Sequence, residues 1–169
     1  MTNAAPHEVE EIAAGCLMAR VRMIARRVTR YHDDALRPFG IQASQLNLLV
    51  FVARFGPVRR SRIGKILGLD PSTLTRNLRV MTEKGWIGDS PDDADGRARL
   101  MRATPAGLGL IVDVAPAWRT AQATTRALLG VRGESLVWAI SGNAMRASAG
   151  TAVSDLAAHT ADPGSSDRG

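Results

Sequence analysis

The sequence predicts a mainly α-helical chain with one short β-hairpin, and three observations carry that reading. Apolar residues recur at helical spacing through most of the 169 residues. Stop and start signals at Gly56-Pro57, Gly68, Asp70-Pro71, Gly85 and Thr104-Pro105 cut the chain into segments of helix length. Only between Trp86 and Ala103 does the period change to that of short strands. Composition agrees: 45% of the residues are apolar but only 4% aromatic, a balance suited to small aliphatic side chains packing helix on helix.

The elements follow in order. From about Glu8 to Asp34 the set Ile12, Cys16, Ala19 and Met23 forms an apolar stripe, while Arg20, Arg22, Arg26, Arg27 and Arg30 cover much of the remaining surface. Arg37-Pro38-Phe39-Gly40 ends this helix. A second runs from Ala43 or Ser44 to Phe55, with Leu46, Leu49, Val50 and Ala53 on one face. A short third helix, Arg60 to Leu67, closes at Gly68. Asp70 is a good N-cap and Pro71 suits the first helical position, so a fourth helix opens there, reaches Lys84 and stops at Gly85. Its stripe is Leu74, Leu78 and Met81, which leaves Ser72, Thr73, Thr75, Arg76 and Arg79 facing outward. Trp86–Ser90 and Ala98–Ala103 read as strands joined by the turn formers of Pro91 to Gly96. Thr104-Pro105 starts a long helix to Leu129, Gly130 to Gly133 breaks it, and a last helix spans Glu134 to His159 with Leu136, Val137, Ile140 and Ala144 on its apolar side.

Helix, helix, tight turn, capped helix and hairpin make a winged helix-turn-helix. The expected divisions are an N-terminal dimerisation helix at 8–36, a DNA-binding domain at 42–104, C-terminal dimerisation helices at 105–159 and a disordered tail at 160–169.

Several functional classes drop out. Cys16 is the only cysteine, so no intrachain disulfide forms and a cytoplasmic home is expected. No run of about 18 apolar residues is present, so no membrane partner is expected. No nucleophile elbow or phosphate loop appears, and catalysis is rejected. His7, His32 and His159 are scattered without ligand spacing, so neither metal nor cofactor is expected.

Charge points to nucleic acid. The chain carries a net +6, mostly from arginine, which forms forked contacts to phosphate. From Arg59 to Arg102 there are ten Lys/Arg against six acids, so +4 of that charge falls in the winged helix. In this fold the second helix of the motif enters the major groove, which here is Pro71 to Arg79. Arg76 suits a bidentate contact to guanine, and Ser72, Thr73 and Thr75 suit bases or phosphates. Arg97 at the wing tip, with Arg99 beside it, suits a narrow minor groove, and Asp95 is placed to brace Arg97.

The stretch Leu67-Gly-Leu-Asp-Pro-Ser-Thr-Leu-Thr-Arg-Asn-Leu and the Lys84-Gly85-Trp86-Ile87 that follows resemble the turn and recognition helix of MarR-family regulators. Asp95-Gly96-Arg97-Ala98-Arg99 and Ala103-Thr104-Pro105-Ala106-Gly107 resemble that family's Asp-x-Arg wing and Leu-Thr-x-x-Gly helix start. Ala103 stands where leucine is usual, and Gly96 removes a wing charge often supplied by arginine. The resemblance covers about Cys16 to Leu129 and implies a homodimer with interlocked terminal helices. It also implies a transcriptional regulator, usually a repressor, released from a pseudo-palindromic operator by a small-molecule or oxidant signal. Leu110, Val114, Trp118, Ala121 and Leu128 fit a need for a partner.

A family subgroup senses oxidants through one cysteine in the first helix, and Cys16 lies in a similar place with Arg20 one turn on. The subgroup's tyrosine partners are missing, Tyr31 being the only tyrosine, and the plainer reading makes Cys16 a small apolar core residue. Arg22 and Trp118 are the candidates to line an effector pocket. The alternative for the whole chain is a winged helix that serves as a protein-interaction module without specific DNA binding.

Overall fold

The computed structural model describes the backbone of residues 5–92 and 95–159 and the side chains of residues 6–90 and 99–142. The described elements are α1 (Ala5–Gly15), α2 (Leu17–Leu36), α3 (Ala43–Phe55), β1 (Val58–Arg59), α4 (Arg60–Leu67), α5 (Pro71–Glu83), β2 (Ile87–Asp92), β3 (Asp95–Ala103) and α6 (Pro105–His159). A 3₁₀ turn over Arg37–Phe39 links α2 to α3. The strands form one antiparallel sheet in the order β1-β3-β2, with Val58 opposite Met101 and Ile87 opposite Ala103. The fold class is the expected one, mainly helical with a small β wing. The expected tail at 160–169 lies outside the described residues.

Four details depart from the sequence reading. The single N-terminal helix is two, because the chain is extended at Cys16 (φ −72°, ψ 97°). Gly15 weakens the helix there, and Cys16 becomes the N-cap of α2, its sulfur accepting the Ala19 N–H at 3.4 Å. Cys16 is therefore a half-buried cap and not a core member of a continuous stripe.

The buried face of α3 is also turned from the expected one. Leu46 and Leu49 are buried as expected, but Leu48, Phe51 and Val52 are buried with them, whereas Val50 is 44% exposed and Ala53 is exposed. The helix is central and packs against α2, α4, β3 and α6, so it has no single apolar side. The hairpin strands reach further into the turn than Ser90 and Ala98, and β1 adds a two-residue edge too short for periodicity to register. The break after Leu129 narrows to Gly130 (φ 64°, ψ 171°), after which the helix resumes at once.

The core gathers around α3. Leu48, Leu49 and Val52 meet Leu36 of α2, Ile63 of α4, Leu78 and Met81 of α5, Met101 of β3 and Val114 of α6. Each such side chain contributes about 1.5–3 kcal/mol relative to exposure. Val114 and Ala121, expected to seek a partner chain, are buried within their own, while Trp118 and Leu128 remain exposed.

Local chemistry sets the corners. Gly85 takes φ 70° and ends α5 in a Schellman turn, with the Trp86 N–H on the Met81 carbonyl at 2.9 Å and the Gly85 N–H on Thr82 at 2.9 Å. Thr104 starts α6. Its hydroxyl accepts the Gly107 N–H at 3.1 Å and donates to the Gly85 carbonyl at 2.6 Å, which ties the new helix to the turn that ends α5. A Cβ on Gly107 would lie 2.1 Å from the Trp86 carbonyl oxygen and 3.1 Å from Leu49. The threonine-to-glycine spacing thus has two physical causes, a cap and a close backbone approach.

The dipeptide His32-Asp33 joins α2 to two other helices. The Asp33 carboxylate accepts the Ala43 N–H at 2.7 Å and so caps α3. The His32 ring lies buried with Nε2 at 3.4 Å from the Thr125 hydroxyl of α6, itself buried. Burial pushes His32 below its ordinary pKa, and the neighbouring Asp33 charge only partly opposes this.

Two outcomes follow for stability. Gly107→Ala forces a methyl group against a backbone carbonyl and is expected to cost about 1–3 kcal/mol, read as a lower midpoint in urea. Below the ordinary histidine pKa of 6.5 the unfolded chain binds a proton that the folded chain resists. The contribution of His32 to stability is therefore constant above that pH and falls below it until the folded pKa is passed. Melting temperatures measured downward from neutral pH should show this decline, and His32→Gln should flatten it.

Candidate nucleic-acid interface

The outward face of α5 is built by its cap. Gly68 in the left-handed region (φ 62°) ends α4, and the Leu69 N–H returns to the Gly64 carbonyl at 3.0 Å. The chain then presents Asp70 as N-cap with Pro71 at the first helical position. Asp70 Oδ1 accepts the Ser72 hydroxyl at 2.6 Å and the Thr73 N–H at 2.9 Å. The Ser72 and Thr73 hydrogen bonds hold its carboxyl well below the usual carboxylate range, so the cap stays ionised.

Leu74, Leu78 and Met81 are buried as the stripe predicts, and Asn77 is buried with them. Their burial orients the rest of the helix. Ser72, Thr75, Arg76 and Arg79 are exposed and Thr73 is half-buried. The Ser72 hydroxyl proton is held by Asp70, and Arg79 pairs with Glu83 at 3.3 Å. Arg76 has no ion-pair partner among the described residues. It is the arginine on this face with its five donors uncommitted, the condition for a planar two-point contact.

The β2–β3 hairpin stands beside this helix. Arg99 Nε donates to Asp89 Oδ2 at 2.6 Å across the two strands. Each partner holds the other charged: the Arg99 hydrogen bond lowers the Asp89 pKa, and Asp89 raises that of Arg99. The Asp89–Arg99 pair stiffens the wing at its base and occupies one of the two candidate wing arginines. Arg97 lies on β3, but its side chain and that of Asp95 are outside the described residues, as is the brace expected between them. Lys84, counted with the basic surface, donates to the Gly40 carbonyl at 2.6 Å and lies over the Trp86 ring at 4.6 Å, so it ties α5 to the end of α2.

A cavity of about 580 Å³ opens between α2, α3 and α6, with Trp118 in its wall. Arg22 is exposed on α2 and is not among the residues lining this cavity, nor is Cys16. His32 and Asn47 do line it, and neither was a sequence candidate for an effector site. The adjacent His32-Asp33 pair was visible in the sequence, but the partners that give it a role were not.

Residues 39–98 match the sequence model of the MarR family. The chain is similar to the multiple antibiotic resistance protein MarR of Salmonella typhimurium, 30% identical over 90 residues, or 53% of this chain and 62% of that protein. It is also similar to an uncharacterized HTH-type transcriptional regulator, YwoH, of Bacillus subtilis, 28% identical over 71 residues, or 42% of this chain and 52% of that protein. The chain thus spans about half to three-fifths of the length of these curated relatives. A crystal structure of mutant MarR from E. coli complexed with operator DNA shares the fold, with a TM-score of 0.70 at 20% identity over 80% of this chain and 97% of that one. Sequence model, curated relatives and fold agree: residues 39–98 match the MarR family, and the chain shares the fold of MarR structures.

Proposed function

We propose that the chain is a transcriptional regulator that binds double-stranded DNA as a homodimer, with α5 in the major groove and the β2–β3 hairpin as the wing. The observation that carries this is the outward face of α5, where Thr75 and Arg76, which has no ion-pair partner among the described residues, stand exposed above a buried apolar stripe. The names of the relatives, and operator DNA bound to one structural neighbour, support the same reading. The alternative of an interaction module is disfavoured by that face, because a protein-docking helix would be expected to present acids or bulky apolar groups there.

Exposed apolar side chains support the dimer. Val9 and Ile12 of α1, Leu17 and Val21 of α2, and Val131, Leu136, Trp138 and Ile140 of α6 lie more than half exposed. Apolar surface on this scale, carried on terminal helices, marks an association face. A two-fold dimer places its recognition helices about 34 Å apart, one turn of DNA, and reads a pseudo-palindrome. Repression, with release when a small molecule enters the cavity between the lobe and the dimer helices, completes the reading. Occupancy there would shift α2 and α6 relative to α3 and so change the spacing of the recognition helices. The fold leaves Cys16 as a cap, and an oxidant signal is the weaker of the two release routes.

Arg76→Ala is expected to lose about 1–3 kcal/mol of preference for operator over scrambled DNA, whereas Arg97→Ala should weaken binding to both by a similar factor. Titrations of the two variants on both duplexes by fluorescence anisotropy check this. Unchanged binding and preference in Arg76→Ala would remove that residue from the reading role.

A further inference from the structure

Among the described residues, α1 stands apart from the packing of its own chain. It is 11 residues long, and every described residue of it from Pro6 to Gly15 is exposed. A helix that short is marginal in water unless something packs against it. Its faces are distinct: Val9 and Ile12 form an apolar stripe, and Glu8 and Glu11 run along one edge of it. The first turns of α2 carry a matching pattern, with Leu17, Val21 and Ile24 as an exposed apolar stripe and Arg20 and Arg27 along its edge. Between Arg20 and Arg30 that helix has five arginines and no acid. Neither these arginines nor Glu8, Glu10 and Glu11 have an ion-pair partner among the described residues.

We infer that α1 is an exchanged arm, laid antiparallel along the start of α2 in a second copy of the chain. Val9 and Ile12 then cover the partner's Leu17, Val21 and Ile24, and Glu8 and Glu11 lie beside the partner's Arg27 and Arg20. The inference rests on the homodimer reading and adds which segments meet and what selects them. The arm cannot fold back on its own α2, because Cys16 alone separates the two helices and a pair of antiparallel helices needs a loop of about 2–5 residues. Its length, about 16 Å, equals that of the run from Leu17 to Arg27. Charge is complementary, three glutamates on α1 against five arginines on α2. Direction follows from helical geometry: packed antiparallel, the acidic edge of α1 and the basic edge of α2 fall on the same side of the contact, and packed parallel they fall on opposite sides. A two-fold axis makes the exchange reciprocal.

The test uses two charge-reversed full chains, one with Arg20→Glu and Arg27→Glu, the other with Glu8→Arg and Glu11→Arg. All four positions are exposed, so both chains should fold. Fluorescence-detected sedimentation at about 50 mM salt, where exposed charges are little screened, reads the dimer affinity. Each reversed chain alone should dimerise about tenfold or more weakly than the wild type, since like charges then face each other at both arms. An equimolar mixture of the two should recover the affinity, because each arm of the mixed dimer again meets opposite charge, and about 1 M salt should erase the differences. Wild-type affinity in both reversed chains would overturn the inference. So would a loss that mixing does not repair, and recovery only in a single chain carrying all four changes would place the arm on its own chain. A wild type that stays monomeric would defeat the homodimer reading as well, whereas a dimeric wild type indifferent to the reversals would defeat the arm alone.

Discussion

One face of α5 organises the molecule. Leu74, Leu78 and Met81 are held in the core that they share with residues of α3 and α4, and their burial determines where every other side chain of that helix points. The interaction is non-directional, but it acts on a helix whose start is pinned by Asp70 and whose end is pinned by Gly85. Rotation about the axis would expose the leucines and bury an arginine, and sliding would break both caps. Thr75 and Arg76 are therefore presented by a rigid scaffold, which is what a contact to base edges demands. The wing inherits its position from the same corner, because Gly85, Trp86, Thr104 and Gly107 lock the end of α5 to the start of α6 with the hairpin between them.

The same logic extends to the joint between the winged-helix lobe and the terminal helices. Asp33 caps α3 of the lobe and the adjacent His32 meets Thr125 of α6, so two consecutive residues of α2 join it both to the lobe and to the other helix proposed to dimerise. The cavity lies at that junction and has both apolar walls and His32 in it. Polar ties at a seam between packed helices favour discrete arrangements over gradual deformation.

Sequence reasoning was strongest where the chemistry is local. The Asp70-Pro71 start, the Gly68 and Gly85 stops and the Leu74, Leu78, Met81 stripe involve residues a few positions apart, and their caps are written in residue type. It was weakest where neighbours are remote. Asp33 meets a residue ten positions away and His32 one that is 93 away, so the His32-Asp33 dipeptide within a basic helix gives no sign of its role. The spacing in α3 does not reveal its buried face, because a helix packed on several sides carries no clean period. Cys16 fell on the spacing of an apolar stripe, and only the extended backbone after Gly15 turns it into a cap. Within the candidate site, residue type marked the arginines of α5 and the wing, whereas the pairings of Arg79 with Glu83 and Arg99 with Asp89 depend on geometry.

The central claim is that this face reads a DNA sequence, and the basic charge of the chain alone would give binding without selectivity. Fluorescence anisotropy of the wild-type protein, on a duplex from just upstream of its own gene and on a scrambled duplex of the same composition, separates the two. Both titrations belong at about 150 mM salt, where phosphate contacts alone are weakened. The account predicts tight binding to the native duplex by two copies of the chain and at least a hundredfold weaker binding to the scrambled one. Equal, weak binding to the two duplexes, and to the remaining intergenic segments around the gene, would contradict it.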